Sequence, residues 1–220
     1  MRVLLTFIVL VIGIFTAYYL TKQSMEQKQL PVIQPRDVNA EMINPELANI
    51  GIGHRIGKFK FLNQNGEKIT HEDVKGKIFV AEYFFTTCLT ICPVMTEEMK
   101  RVQERFKGNQ DVKILSFTID PEQDDVAVMK AYAENHNAVA GQWHFLTGPK
   151  EDLYSLARNS FFVLKPAEAK NLGDAGSDFI HTNNFVLVDR EMRIRGYYDG
   201  TSTEDINILM DDIDLLLNEK

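Results

Sequence analysis

The sequence predicts a mixed α/β domain that begins with a small β-hairpin and is carried behind one transmembrane helix. Three observations predict it. From residue 77 onward, short apolar runs alternate with segments whose apolar residues recur every three or four positions, the pattern of strands linked by crossover helices. The last two strand-like runs are joined only by Asp189-Arg190-Glu191, too short for a crossover, so that pair is antiparallel. Val3 to Leu20 is an 18-residue run without a charge.

As a helix, that run is about 27 Å long at 1.5 Å per residue, just enough to cross a hydrocarbon core. Arg2 precedes it, while Lys22 and Lys28 follow with Glu26 between them, so flanking charge orients it little. Tyr18 and Tyr19 stand where signal cleavage needs small residues, which favours an uncleaved anchor over a removed leader. No cysteine follows the run, which argues against lipid attachment there. Either reading exports the remainder of the chain to an oxidising compartment. Residues 21–50 are polar, carry Pro31, Pro35 and Pro45, and lack sustained periodicity, as expected of a flexible tether.

Residues 51–220 form the expected folded domain. Phe59–Leu62 and Glu67–Thr70 flank Asn63-Gln64-Asn65-Gly66, a hairpin signal because Asn-Gly accommodates positive φ. Lys77–Phe85 (KIFVAEYFF) reads as a buried strand, followed from Cys92 by a helix with a stripe of Met95, Met99, Val102 and Phe106. Lys113–Ile119 is a second buried strand; Asp120-Pro121 is expected to cap and open the next helix. Trp143–Leu146 is a short third strand and Pro149–Arg158 a short helix. A long loop over Phe161–Ile180 leads to strands Asn184–Val188 and Met192–Tyr198. Thr201–Lys220 closes the chain as a helix with a capping box from Thr201 to Glu204.

The net charge of −7, from 24 Lys+Arg against 31 Asp+Glu, argues against a nucleic-acid partner, which would require a basic face. The two cysteines are too few for a disulfide scaffold or a four-thiolate zinc site. They are instead adjacent, in Thr87-Cys88-Leu89-Thr90-Ile91-Cys92-Pro93, between the first central strand and its helix. Loops at the carboxyl ends of such strands carry sites. Free N–H groups and the positive dipole end of the helix favour a thiolate there. A purely structural disulfide would close a loop of a few residues and gain little. Three intervening residues depart from the two of thioredoxin-type redox pairs, which leaves disulfide exchange and metal chelation both open. Two thiolates with one imidazole suit Cu(I). Among His54, His71, His136, His144 and His181, the last is the best placed, at the end of the long loop before the fourth central strand. A peroxidase ranks lower, because no distinct peroxide-activating arginine lies in the loop. Met95 and Met99 belong to the core stripe rather than to a ligand set.

These residues resemble the SCO/SenC family. The resemblance is carried by Phe84-Phe85-Thr86-Thr87-Cys88-x-x-x-Cys92-Pro93, Asp120-Pro121-x-x-Asp124, Thr147-Gly148-x-x-Glu151 and His181 before Asn184-Phe185-Val186-Leu187-Val188-Asp189. It implies a thioredoxin-like fold and a membrane-tethered copper chaperone that assists assembly of the CuA centre of cytochrome c oxidase. Cys88, Cys92 and His181 would be the ligands of Cu(I), and of Cu(II) as well, with Asp120 beside the site. The partners implied are the oxidase subunit carrying CuA and a second copper donor. The location implied is a single pass of the inner membrane with the domain on the periplasmic side. The alternative is a thiol–disulfide oxidoreductase that uses Cys88 and Cys92 without carrying copper. Against general disulfide exchange, thioredoxin-like oxidoreductases carry a proline just before the fourth strand, where this chain has His181-Thr182. Two positions depart from the family pattern: Leu89 stands where proline is usual and Thr90 where aspartate is usual. Thr87 replaces a frequent histidine.

Overall fold

The computed structural model describes residues 6, 9–19, 29–43, 53–164 and 183–219. The chain divides into two units, Met1–Leu30 and Pro31–Lys220. In the first, Thr6 and residues 9–19 are helical and exposed. Among the described residues no helix is long and apolar enough to cross a membrane; the rest of the 3–20 run lies outside them.

The second unit opens with residues 31–43, part of the segment read as tether. They lie along the domain: Ile33 N–H donates to the Ile194 carbonyl at 2.9 Å, and Ile43 is buried in the core. The hairpin follows as β1 (Lys60–Leu62) and β2 (Lys68–Thr70), with Lys60 opposite Thr70. Its turn is fixed by Asn63 Oδ1, which accepts the N–H groups of Asn65 and Glu67 at 2.9 Å each, and by Gly66 at φ 74°. A four-residue helix α1 (His71–Val74), absent from the sequence reading, follows at once. Its signal is Thr70-x-x-Asp73: the Thr70 N–H donates to the Asp73 carboxylate at 2.7 Å.

The main elements are β3 (Ile78–Phe84), α2 (Cys92–Arg105), β4 (Val112–Thr118), α3 (Val126–Asn135), β5 (Trp143–Leu146), α4 (Lys150–Asn159), β6 (Asn184–Val188), β7 (Ile194–Asp199) and α5 (Thr203–Asn218). The five-stranded sheet has the order β5-β4-β3-β6-β7. β3 runs parallel to β4 and antiparallel to β6; β4 and β5 are parallel, β6 and β7 antiparallel. The mixed sheet with a closing antiparallel pair is therefore as expected.

Strand alternation sends Phe79, Ala81, Tyr83, Leu115 and Phe117 to one face, where the hairpin's Phe59 and Phe61 and Leu153 of α4 join the core. Leu62 bridges to Thr147 through two 2.9 Å backbone bonds, docking the hairpin beside the sheet. Gly148 permits this approach: a Cβ there would sit 2.7 Å from the Phe61 ring. On the opposite face α5 packs on β3 and on α2, and α3 on β5. The α2 stripe is as read, with Met95, Met99, Val102 and Phe106 all buried. Buried Arg195 closes the far edge by donating to Asp189 at 3.0 Å and to Glu219 at 2.8 Å. These two carboxylates keep the buried charge from being left unpaired, the costlier arrangement.

Two helix starts differ from expectation. Asp120–Gln123 forms a turn, with the Gln123 and Asp124 N–H groups on the Asp120 carbonyl at 3.1 and 2.8 Å. Helix α3 therefore begins at Val126, capped by Asp125, whose carboxylate accepts the Val128 N–H at 2.9 Å. Similarly, Ser202 caps α5 through the Asp205 N–H at 3.2 Å, because the Thr201 hydroxyl is engaged by Asp199 at 2.6 Å.

The packing of α2 sets one expectation. Met99 has no exposed surface, so Met99→Ala should cost about 2–5 kcal/mol in guanidinium denaturation. A change within about 0.5 kcal/mol, as at surface positions, would contradict its place in the core.

Candidate metal centre

β3 ends at Phe84 and α2 begins at Cys92, so residues 85–91 form a short loop at the carboxyl end of the central strand. Pro93 is the second helical residue, where its missing N–H removes no helical bond. Both cysteines are free thiols and both are buried, at 6 % and 3 % exposure. Leu89 between them is 91 % exposed. The loop turns because the Phe85 carbonyl accepts the Cys88 N–H at 3.2 Å. The N–H of the same Phe85 donates to the Cys92 sulfur.

The two sulfurs meet. Burial opposes ionisation of Cys88, but the N–H of Cys92, the hydroxyl and N–H of Thr90 and the Cys92 thiol all stabilise its thiolate. The Thr90 hydroxyl lies 3.5 Å from Cys88 Sγ. Together these contacts outweigh burial and bring the Cys88 thiol down to about 7. Cys92 goes the other way. Burial, its role as donor to Cys88 and the nearby charges of Cys88 and Glu82 push it up to about 12, against the Phe85 N–H.

Glu82 is the unexpected group beneath the site. It sits within the run read as an apolar strand, at 2 % exposure. Ser116 Oγ donates to its Oε1 at 2.6 Å, and Trp143 Nε1 donates to Ser116 Oγ at 2.8 Å. Among the described residues Oε2 has no partner. Burial raises the carboxyl to about 7, against the Ser116 hydrogen bond.

Asp124, named in a motif but given no role from sequence, proves to be a buried acceptor that joins two loops. It accepts the Thr86 N–H and hydroxyl from the cysteine loop and the Thr118 hydroxyl from the end of β4. Asp120 is half-buried in the turn after β4, and among the described residues its carboxylate makes no hydrogen bond to either cysteine. Four histidines lie within the described residues. His54 Nε2 is 2.8 Å from the Ser160 carbonyl, and His144 is buried beside Asn63. His71 opens α1, and His136 ends α3 with its ring tilted against Tyr132. His181 lies outside the described residues. Among those described, no three His, Cys, Asp or Glu side chains form a metal cage. A groove of about 740 Å³ between the hairpin and α4, reached by Lys58, His71 and Asp152, contains neither cysteine.

A five-stranded mixed sheet with a reactive dithiol at the N-terminus of the helix after its central strand defines a thioredoxin-like dithiol domain. The chain belongs to the SCO1/SenC family, whose model matches residues 50–217, a thioredoxin-like family of cytochrome c oxidase assembly proteins. The SCO1 protein homolog of Bacillus subtilis (strain 168) is 34% identical over 164 residues, covering 74% of this chain and 82% of that protein. A structure of BsSco, described as a Sco-family cytochrome c oxidase assembly protein with a disulfide switch, matches with a TM-score of 0.65 at 29% identity. It covers 77% of this chain and 96% of that one. Arabidopsis thaliana ScoI with copper bound matches with a TM-score of 0.57 at 25% identity, covering 74% and 98%.

Two outcomes follow from the electrostatics. Alkylation of the reduced domain, followed by mass spectrometry against pH, should show Cys88 reacting with a midpoint near 7 while Cys92 stays protected well above it. Equal midpoints in the ordinary range of about 8.5 would contradict the asymmetry. Glu82 binds its proton more tightly folded than unfolded, so its stabilisation is complete below about 4.5 and lost as pH rises to about 7. Glu82→Gln should flatten unfolding free energy across that window and leave the variant more stable than the native chain above it. Parallel pH curves for the two proteins would exclude Glu82 as the cause.

Proposed function

We propose that this domain carries copper as cargo between the sulfurs of Cys88 and Cys92, with His181 as third ligand and Asp120 nearby. The acceptor is the cytochrome c oxidase subunit that holds CuA, and a further copper protein is the donor. The observation that carries the reading is the meeting of two buried thiols at a helix N-terminus, one of them kept ionisable near neutrality. Soft thiolates suit Cu(I), which accepts low coordination numbers, and an imidazole extends the set to Cu(II). Binding displaces thiol protons, so affinity rises with pH until both sulfurs are ionised. Membership of the SCO1/SenC family and the copper-bound plant relative support this reading. Residues 1–20 act as membrane anchor, 21–50 as tether with its residues 31–43 laid on the domain, and 51–220 as the working domain on the periplasmic side. Tethering raises the effective concentration of the domain at a membrane-bound acceptor.

The second reading is thiol–disulfide exchange. The asymmetry between an ionisable Cys88 and a protonated Cys92 favours it, because it separates an attacking thiol from a resolving one. In that reaction the two thiols become a disulfide, and their two electrons and two protons pass to the partner's disulfide. The two roles are compatible, since copper loading requires reduced thiols.

Copper(I) titration of the reduced domain against a competing chelator should give one equivalent bound. Affinity should fall by about 10-fold or more in His181→Ala and vanish in the double variant Cys88→Ser/Cys92→Ser. Undiminished affinity in His181→Ala would remove that residue from the site. Copper retained by the double serine variant would overturn the reading, and reduction of a model disulfide without tight copper binding would favour the second.

A further inference from the structure

We propose that Asp124 is the positioning residue of the dithiol: by holding Thr86 it fixes the backbone at Phe85, the residue whose carbonyl and N–H address Cys88 and Cys92. The inference rests on Cys88 and Cys92 working as a pair, whether toward copper or toward a disulfide.

The carboxylate of Asp124 is wholly buried. Thr86 N–H donates to its two oxygens at 3.3 and 3.2 Å, the Thr86 hydroxyl donates to Oδ1, and the Thr118 hydroxyl donates to Oδ2 at 2.5 Å. Among the described residues no cation pairs with it, and these neutral donors offset the cost of burying a carboxylate only in part: burial, with Asp120 nearby, holds the carboxyl above its ordinary value. Helix α3 does not need it, because Asp125 caps that helix. What Asp124 supplies is a grip on the first residues beyond β3 from the loop beyond β4. The neighbouring backbone bond from the Ile119 N–H to the Phe84 carbonyl, at 2.9 Å, ties the same two strand ends.

The consequence lies one residue before Thr86. The Phe85 carbonyl accepts the Cys88 N–H at 3.2 Å, and its N–H faces the Cys92 sulfur. Phe85 thus touches both halves of the pair, and its following residue is clamped from a position 38 residues away. Once Thr86 is released, the Phe85–Thr86 peptide can rotate and carry away the carbonyl that holds Cys88, while the Phe84–Phe85 peptide facing Cys92 stays tied to Ile119, so the two sulfurs lose their common reference. The reduced pair is then less well prepared, for metal and for redox chemistry alike.

The test compares Asp124→Asn, Thr86→Val and Thr86→Ser with the native chain in two assays: redox equilibrium of the dithiol with glutathione, and Cu(I) affinity. Asp124→Asn and Thr86→Val should both shift the equilibrium toward the disulfide and lower Cu(I) affinity, each by about 10-fold or more. Thr86→Ser, which keeps the hydroxyl, should recover most of the shift. Met99→Ala serves as a control for lost stability alone, with thermal midpoints recorded throughout. Asp124→Asn and Thr86→Val that melt earlier, as Met99→Ala does, yet change neither equilibrium by more than about twofold would overturn the proposal. Should Asp124→Asn not fold, Thr86→Val against Thr86→Ser decides alone. A native chain that binds no copper, with the glutathione shift present, would sink the copper reading and leave Asp124 in place. Copper binding that is unchanged across the variants, with an unmoved glutathione equilibrium, would do the reverse.

Discussion

Everything at the dithiol hangs from β3. All seven of its residues are buried, and it is bonded in parallel to β4 on one side and antiparallel to β6 on the other. A strand paired on both edges and packed on both faces cannot slide without breaking two ladders and two layers of core. Its carboxyl end is therefore a fixed point, and the loop that leaves it has few residues before α2 takes over at Cys92. The same geometry sets the chemistry. Strand ends of this polarity face the N-terminus of the next helix, so free N–H groups arrive where the sulfurs are.

The two sulfurs share one environment and respond to it oppositely. Burial raises both, yet the donors near the helix start converge on Cys88, while Cys92 meets the negative field of Glu82 from within the sheet. Above about 7 the pair is thus one thiolate bridged by a hydrogen bond to one thiol, a net single charge where two would repel. A soft cation that binds the thiolate supplies the positive charge that makes the second ionisation favourable. A disulfide removes both charges instead. Copper loading and oxidation therefore compete for one electrostatic arrangement, which gives a physical basis for the two readings of the site to coexist.

The sheet and its helices were legible because each rests on local pattern. KIFVAEYFF and KILSFTI are apolar runs of strand length, and Met95, Met99 and Val102 fall on one helical face. The cysteine pair was legible for the same reason, as a spacing before a helix. What was not legible depends on tertiary burial. Glu82 sits inside an apolar run, where nothing local shows that its carboxyl meets Ser116 and lies within the field of Cys92. Four acidic residues, Asp120, Glu122, Asp124 and Asp125, crowd one turn, and propensity favours the one before proline as the cap. The helix start is decided instead by which carboxylate is already engaged: Asp124 turns inward to Thr86 and Thr118, leaving the cap to Asp125. His181 was singled out by its place before β6, which is a statement of topology and carries no side-chain geometry.

The departures from the family pattern acquire meaning from these contacts. Thr90 stands where the family resemblance leads one to expect aspartate, and its hydroxyl lies 3.5 Å from Cys88 Sγ. A carboxylate at that distance would repel the thiolate, whereas the hydroxyl donates to it and favours ionisation. Leu89 stands where proline is usual, and it is almost fully exposed, with no packing of its own to hold the loop. A proline would fix φ and narrow the loop's unfolded freedom; leucine does neither. The order of this loop must then come from its ends. One end is the first turn of α2, closed by the Met95 N–H on the Ile91 carbonyl at 3.0 Å. The other is Thr86 held on Asp124 and Cys88 held on Phe85. Losing the restraint between the cysteines places more weight on the hydrogen bonds outside them, so a loop with less intrinsic rigidity depends more heavily on its buried carboxylate.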